Sequence, residues 1–302
     1  SRGLVGSEMC IRDRIKDRSS VVVTGGASGI GKALAFRFGK EGHDIIIGDV
    51  EESALGITTS ELRSAGILAT GIVVDVSDID SVRSFKDRIF SEFTPPYILC
   101  LNAGVGAGGP ISESDILDWE WVLGVNLWGV IYGLNTFLPF MEENNNGHIV
   151  ITSSIAGHLS YPNMGVYNAS KHAVLSIAET LCYEMQEKSS DVGVSVLCPG
   201  LVKTNILDSD RNRPEILTNN DSLNEPDDDD GRKEAVKEIY NLALDPESVA
   251  DLVFKAVQSN QFYIFTENTF QDAIKSRHRD IELARNPMLG ANLVEEHLND
   301  TD

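Results

Sequence analysis

The chain has 302 residues, enough for one large core or two small ones, and its 42% hydrophobic and 24% charged residues are an ordinary globular composition. Its formal net charge of −21 is not ordinary. So acidic a surface repels nucleic-acid phosphates and anionic lipid headgroups, so neither nucleic acid nor membrane is expected as a partner. No apolar run reads as a membrane span. The four cysteines, Cys10, Cys100, Cys182 and Cys198, form no CxxC pair, so they are expected to be reduced residues of a cytoplasmic protein.

Residues 1–16 mix Arg, Asp and Gly without periodicity and lack the apolar centre of a secretory signal. They read as a leader from cloning or sequence assembly, with a disordered native arm as the alternative. The fold is sought in 17–302.

From Ser19 onward, short apolar runs alternate with longer amphipathic stretches. The runs Val21–Val23, Asp44–Ile47, Ile72–Val74, Ile98–Leu101, His148–Thr152 and Val194–Cys198 suit strands buried on both faces. Between them lie helical stretches, among them Lys32–Lys40, Val82–Phe93, Trp119–Met141 and Tyr167–Glu187. Strand–helix alternation predicts an α/β fold: a Rossmann-type, doubly wound parallel sheet of about seven strands with helices on both faces, in one domain. Right-handed crossovers would then gather the loops after the strands along one sheet edge, where a ligand should bind.

The first strand ends in Thr24-Gly25-Gly26-Ala27-Ser28-Gly29-Ile30-Gly31 and runs into a helix. Gly25 suits a tight turn, Gly29 a close approach of backbone to a pyrophosphate, and Gly31 close packing of helix on strand. The helix N-terminus offers unpaired N–H groups to that phosphate. The second strand ends at Asp49, where an acid accepts hydrogen bonds from an adenosine ribose and repels the 2′-phosphate of NADP. Val50 follows and Ser28 occupies the turn, so no basic residue stands by to bind that phosphate. NAD is the expected cofactor, with NADP disfavoured.

Tyr167 and Lys171, four apart on one helix face, form a proton-transfer pair, because an ammonium beside a phenol is expected to lower its pKa. Ser154 follows a strand at the ligand edge and could hold a substrate oxygen, with Ser153 competing for that role. Asn126 sits within an apolar helix, so its amide must find partners: backbone groups at a bend, a water chain to Lys171, or both.

After Pro199 the composition changes. Residues 203–240 read as a polar, acidic lid that includes Asn219-Asn220-Asp221 and the run Asp227–Asp230, and 241–302 as a C-terminal extension. Within the extension Pro246–Gln258 and Gln271–Ala284 read as helices and Phe262–Phe265 as a strand. The Asp227–Asp230 run lacks calcium-loop spacing and no metal site is expected. Tyr161 and Met164 fit either an apolar guest or packing. His158 reads as a substrate contact or a hydrogen-bonded spacer. With only Lys203, Arg211 and Arg213 as nearby cations, a neutral alcohol or ketone is the expected substrate.

Residues 19–204 resemble the short-chain dehydrogenase/reductase superfamily in its compact subgroup. The residues that carry the resemblance are the Thr24–Gly31 turn, Asp75, Asn102-Ala103-Gly104, Asn126, Ser154, Tyr167, Lys171, Pro199-Gly200 and Thr204. The interval from Ser154 to Tyr167 selects Ser154 over Ser153. The resemblance implies that Asp75 and Val76 meet the adenine and that Asn102, Ala103 and Gly104 line the cofactor. Lys171 would also hold the nicotinamide ribose, and Pro199, Gly200, Val202 and Thr204 the carboxamide end. It further implies that Ser154 fixes a substrate oxygen, Tyr167 exchanges its proton, and Lys171 and Asn126 relay that proton.

Many members end in a strand and an Asp-Gly-Gly tail that builds a tetramer. Here Glu267 and a further helix follow, so a homodimer through the helices around Trp119–Met141 and Tyr167–Glu187 stands beside the homotetramer. The C-terminal pattern is similar to members acting on bulky alcohols, including the benzylic alcohols of lignin-type aryl ethers. An epimerase or dehalogenase on this fold, or a non-catalytic NAD sensor, are the rival functions. The glycine turn and Asp49 oppose the dehalogenase, the short tail the epimerase, and the intact Tyr167 site the sensor.

Overall fold

The computed structural model describes residues 19–218 and 243–288. The leader at 1–16, Cys10, the acidic run Asp227–Asp230 and the end of the extension lie outside the described residues, as do 219–240 of the expected lid.

The described chain alternates as expected. In order it forms β1 (Ser20–Thr24), α1 (Gly29–Lys40), β2 (Asp44–Asp49), α2 (Glu52–Ser64), β3 (Ala69–Val73), α3 (Ile79–Glu92) and β4 (Pro96–Leu101). Then come α4 (Ile116–Leu123), α5 (Gly129–Glu143), β5 (His148–Thr152), α6 (Gly165–Glu187), β6 (Gly193–Cys198), α7 (Pro246–Ser259), β7 (Tyr263–Phe265) and α8 (Gln271–Glu282). The strands make one 7-stranded sheet of order β3-β2-β1-β4-β5-β6-β7, with every pair parallel. This is the doubly wound Rossmann-type α/β fold. The strand order reverses between β1 and β4, and the crevice beyond their C-terminal ends is where such sheets bind ligands.

Two cores hold the layers together. On one face Val21, Val23, Ile45 and Ile47 pack with Leu34 and Phe38 of α1 and with Val249, Val253 and Phe254 of α7. On the other, Val22, Ile46, Leu99 and Ile149 pack with Phe85, Phe137, Val174 and Leu181. Successive strand residues serve opposite cores, which explains why the central strands are apolar throughout. The edges depart from that pattern: Val73 on β3 and Tyr263 on β7 are exposed, because each lies on an outermost strand.

The expected helix Trp119–Met141 runs from Ile116 to Glu143 and is interrupted by a π-helical turn at Gly124–Trp128. Contrary to the sequence reading, this 28-residue helix is long and apolar enough to cross a membrane by length and composition. Here it packs on β4, α3 and α6 as part of the core. Helix α2 was not legible as amphipathic. Its buried face is Leu55, Thr58, Thr59 and Leu62, and two threonines in four blur the apolar stripe. Thr58 nevertheless matters, since its hydroxyl donates to the Ala27 carbonyl (2.8 Å) and ties α2 to the glycine turn.

Candidate active site

The glycine turn, the ends of β2 to β6 and the loop after β6 surround one cleft at the switch point. Gly25 and Gly29 take positive φ (65° and 50°), which side chains other than glycine rarely adopt. Gly31 is limited by space instead. A Cβ there would lie 2.0 Å from the Gly25 carbonyl oxygen and 2.7 Å from Asn102 Nδ2. Thr24 fastens the turn to the loop after β4, its hydroxyl accepting from the N–H groups of Asn102 (3.0 Å) and Ala103 (3.2 Å).

Of the residues expected at a cofactor, Gly25, Ser28, Gly29, Ile30, Asp49, Asp75 and Val76 line this cleft. Asn102, Ala103, Gly104, Tyr167, Lys171, Pro199 and Thr204 line it too. Thr24 and Gly31 support it from behind. Gly200 and Val202 do not line it: the Gly200 N–H donates to the Thr266 hydroxyl (3.0 Å), and Val202 is buried in the core and bridges to Leu244. A loop anchored from the C-terminal extension was not visible in local sequence.

Asp49 sits at the end of β2, its carboxylate accepting from the N–H of Ala27 (2.9 Å) and of Glu51 (3.1 Å). Burial raises its pKa, against the lowering effect of these bonds. The turn, the acid and the crevice together fit a dinucleotide. Phosphate can reach bare backbone, and a ribose can reach Asp49.

At the opposite end, the β5 terminus and the first turns of α6 bring the proton-transfer residues together. The Ser154 hydroxyl lies beside the Tyr167 phenol and lowers its pKa. Ser153, the competitor, is turned away and donates to the Lys171 carbonyl (2.9 Å). Of the two serines, Ser154 is the one beside the phenol. Lys171 is buried, its Nζ donating to the Thr152 carbonyl (3.2 Å) and lying 5.5 Å from the Tyr167 ring centroid.

The phenol corrects a sequence expectation. Burial pushes the Tyr167 pKa up to about 12, with the Ser154 bond lowering it only in part, whereas a neighbouring ammonium was expected to bring it down. Desolvation outweighs the charge here, because Lys171 points at a carbonyl and is itself depleted of water. Burial pushes Lys171 down to about 8.

That shift has a consequence for stability. The cost of holding a charged Lys171 in the fold is fully present below pH 8 and vanishes as pH rises past the free-lysine value near 10.5. Lys171→Met is therefore expected to stabilise the empty protein by about 2 kcal/mol at pH 7, with the gain shrinking toward pH 10.5. Urea unfolding across that range checks it. A variant less stable than wild type at pH 7 would contradict it.

Asn126 sits in the π-helical turn, where its amide is aimed at a neighbouring loop. Its Oδ1 accepts from the Val105 N–H (2.8 Å), and its Nδ2 donates to the Val105 carbonyl (3.0 Å) and the Ser170 hydroxyl (3.1 Å). Of the two roles considered, satisfying backbone at a bend is realised. Ser170, absent from the sequence reading, links this amide to the helix of Tyr167, whose carbonyl it donates to (2.7 Å).

His158 lies outside the cleft, packing on Phe265 (5.3 Å between centroids) with its Nε2 3.4 Å from Cys198 Sγ. It is a buried spacer. Tyr161 and Met164 pack around Tyr167 together with Phe270, Ile206 and Ile274, so the environment of the phenol is apolar. Each of the three cations considered for a substrate clamp already pairs with a carboxylate of the chain: Lys203 with Asp245, Arg211 with Glu51 and Arg213 with Asp118. Among the described residues no group of three or more His, Cys, Asp or Glu could hold a metal ion.

Residues 19–215 match the sequence model of the short chain dehydrogenase family. A C alpha-dehydrogenase of Sphingobium sp. (strain SYK-6) is 33% identical over 267 residues, which span 86% of this chain and 84% of the relative. A diacetyl reductase [(S)-acetoin forming] of Staphylococcus epidermidis is 30% identical over 254 residues, 84% of this chain and 96% of the relative. Among solved structures, a short chain dehydrogenase/reductase from Burkholderia phymatum in complex with NAD is similar with a TM-score of 0.84 and 40% identity. That match covers 92% of this chain and 99% of the other.

Proposed function

Since the chain belongs to the short-chain dehydrogenase family, we propose that it is an NAD(H)-dependent oxidoreductase interconverting a secondary alcohol and a ketone (or aldehyde), with Tyr167 as the acid/base. One observation carries this reading: Ser154, Tyr167 and a buried Lys171 are brought together at the cleft that also holds Asp49 and the glycine turn. A bound nicotinamide would supply the hydride donor or acceptor.

The chain's own residues supply positioning and the proton. With its pKa near 12, Tyr167 rests as the phenol and holds the proton that a carbonyl oxygen needs on reduction. Ser154 orients that oxygen. The phenolate left behind is stabilised by the Lys171 ammonium, whose pKa near 8 lets it gain and lose a proton close to neutral pH. Alcohol oxidation runs the same steps in reverse. Asn126 keeps the Val105 loop and the helix of Tyr167 in register, and we assign it the water-mediated end of the proton route.

Support for NAD comes from Asp49, from Val50 and Ser28 where a basic residue is missing, and from the similar NAD complex. Asp75, Val76 and Asn102-Ala103-Gly104 would meet the adenosine half and the ribose, with Pro199 and Thr204 nearer the nicotinamide. A neutral, apolar or aromatic substrate follows from the apolar packing around Tyr167 and from the pairing of nearby cations. The name of one relative, a diacetyl reductase, fits a neutral carbonyl substrate. Free cysteines suit a cytoplasmic setting, and exposed Trp128 and Tyr183 on the long helices suit a homodimer or homotetramer.

The test is a panel of aryl, alicyclic and steroidal secondary alcohols, assayed with NAD and NADP in parallel on the wild type and Asp49→Asn. Wild-type turnover is expected with NAD, and Asp49→Asn should shift the NAD/NADP preference toward NADP by about tenfold or more. A wild type that prefers NADP would defeat the reading of Asp49.

A further inference from the structure

We propose that Glu51 is a second determinant of cofactor choice, acting through its pairing with Arg211 and Asn212 of the loop that closes the adenosine end of the cleft. The inference rests on the NAD reading of Asp49 given above. Glu51 lies two residues past Asp49, and its backbone N–H donates to the Asp49 carboxylate (3.1 Å). Its side chain turns the other way, to the loop after β6. There one carboxylate oxygen accepts from both Arg211 Nη2 and Asn212 Nδ2, each at 2.8 Å. Arg211 Nη1 is held in turn by the carbonyls of Asn205 and Asp208.

Asp49, Glu51, Arg211 and Asn212 all line the same cleft. Among the described residues, the only cations lining the cleft are Arg211 and Lys171, and Lys171 stands at the far end beside Tyr167. Arg211 is thus the one lining guanidinium able to meet a 2′-phosphate near Asp49, and its planar fork would suit that ligand well. Glu51 already takes its Nη2, and the carbonyls of Asn205 and Asp208 take its Nη1. Burial alone would raise the pKa of Glu51, but the bonds from Asn212 and Arg211 and the guanidinium charge hold it below the usual carboxylate range, so it stays ionised at neutral pH.

Two carboxylates and one engaged guanidinium leave the trio with net charge −1, which repels a phosphate dianion. Removing the charge of Glu51 leaves the trio neutral and weakens the hold on Arg211 Nη2. The pair is about a quarter exposed on each side, so solvent screening limits the expected effect to roughly tenfold. The same bonds tie the loop to the rim of β2. Losing Arg211 should therefore weaken both dinucleotides without favouring NADP.

The experiment is calorimetric titration of NAD and NADP into the full-length wild type, Glu51→Gln, Arg211→Ala, the double variant and Asp49→Asn. The expected result is that Glu51→Gln lowers the ratio Kd(NADP)/Kd(NAD) about tenfold, while Arg211→Ala does not and the double variant loses the gain. A ratio within twofold of wild type in Glu51→Gln, or a gain that survives in the double variant, overturns the proposal. If Asp49→Asn shifts the ratio and Glu51→Gln does not, the role of Glu51 alone is refuted. A wild type that prefers NADP refutes the reading of Asp49 and this proposal with it.

Discussion

Replacing Tyr167 with phenylalanine is expected to lower turnover by about 10³–10⁴-fold while leaving dinucleotide affinity within a few-fold of wild type. The substitution removes one hydroxyl and keeps the ring, which packs among Ile155, Ala156 and Phe270. The fold has no reason to move, and Ser154 retains its bonds to the Pro199 carbonyl (3.4 Å) and the Ala156 N–H (3.1 Å). What disappears is the phenol hydroxyl beside Ser154 and the proton it would hold. Steady-state kinetics with the best alcohol of the panel, beside calorimetric titration of NAD, separates chemistry from binding. Turnover within tenfold of wild type would defeat the mechanism.

The second large effect is at Gly31. Gly31→Ala is expected to weaken dinucleotide binding at least 100-fold and to cost about 3 kcal/mol of stability, read as a fall in melting temperature of about 5 °C or more. The added Cβ would stand 2.0 Å from the Gly25 carbonyl oxygen. That atom belongs to the backbone of the turn itself, so no side chain can swing aside to make room. Either α1 moves off the sheet or the turn opens, and each outcome spoils the N–H groups expected to meet phosphate. Gly42→Ala is a control for general glycine loss, because no atom lies within 4 Å of a Cβ there, although its φ of +91° still carries some strain. Wild-type affinity in Gly31→Ala would show that the turn does not hold the pyrophosphate.

Much of the site was legible because its residues are spaced by local geometry. The interval from Tyr167 to Lys171 is one helical turn, and the Thr24–Gly31 glycines mark a single strand–turn–helix unit. Asp49 ends a strand whose apolar run is plain in the sequence. Such features need only the period of a helix or strand. Helix α2 escaped because threonines fill half its buried face, and the π-helical turn at Gly124–Trp128 escaped because nothing in an apolar run announces a one-residue bulge.

The sequence by itself determined the strand–helix alternation, the parallel sheet, the glycine turn with Asp49, and the Tyr167–Lys171 spacing. Each follows from a short-range pattern repeated along the chain. Only the tertiary structure decided what those residues meet. Glu51 and Arg211 are 160 residues apart, and no periodicity links an acid at a strand end to a cation in a polar loop. Asn126 finds Val105 and Ser170 on separate elements, while Gly200 is claimed by Thr266 from the C-terminal extension. Even the direction of the Tyr167 pKa was set in three dimensions. A lysine four residues away argues for a lowered value, but the loss of water around the buried phenol is the larger effect, and burial is a property of the packed molecule.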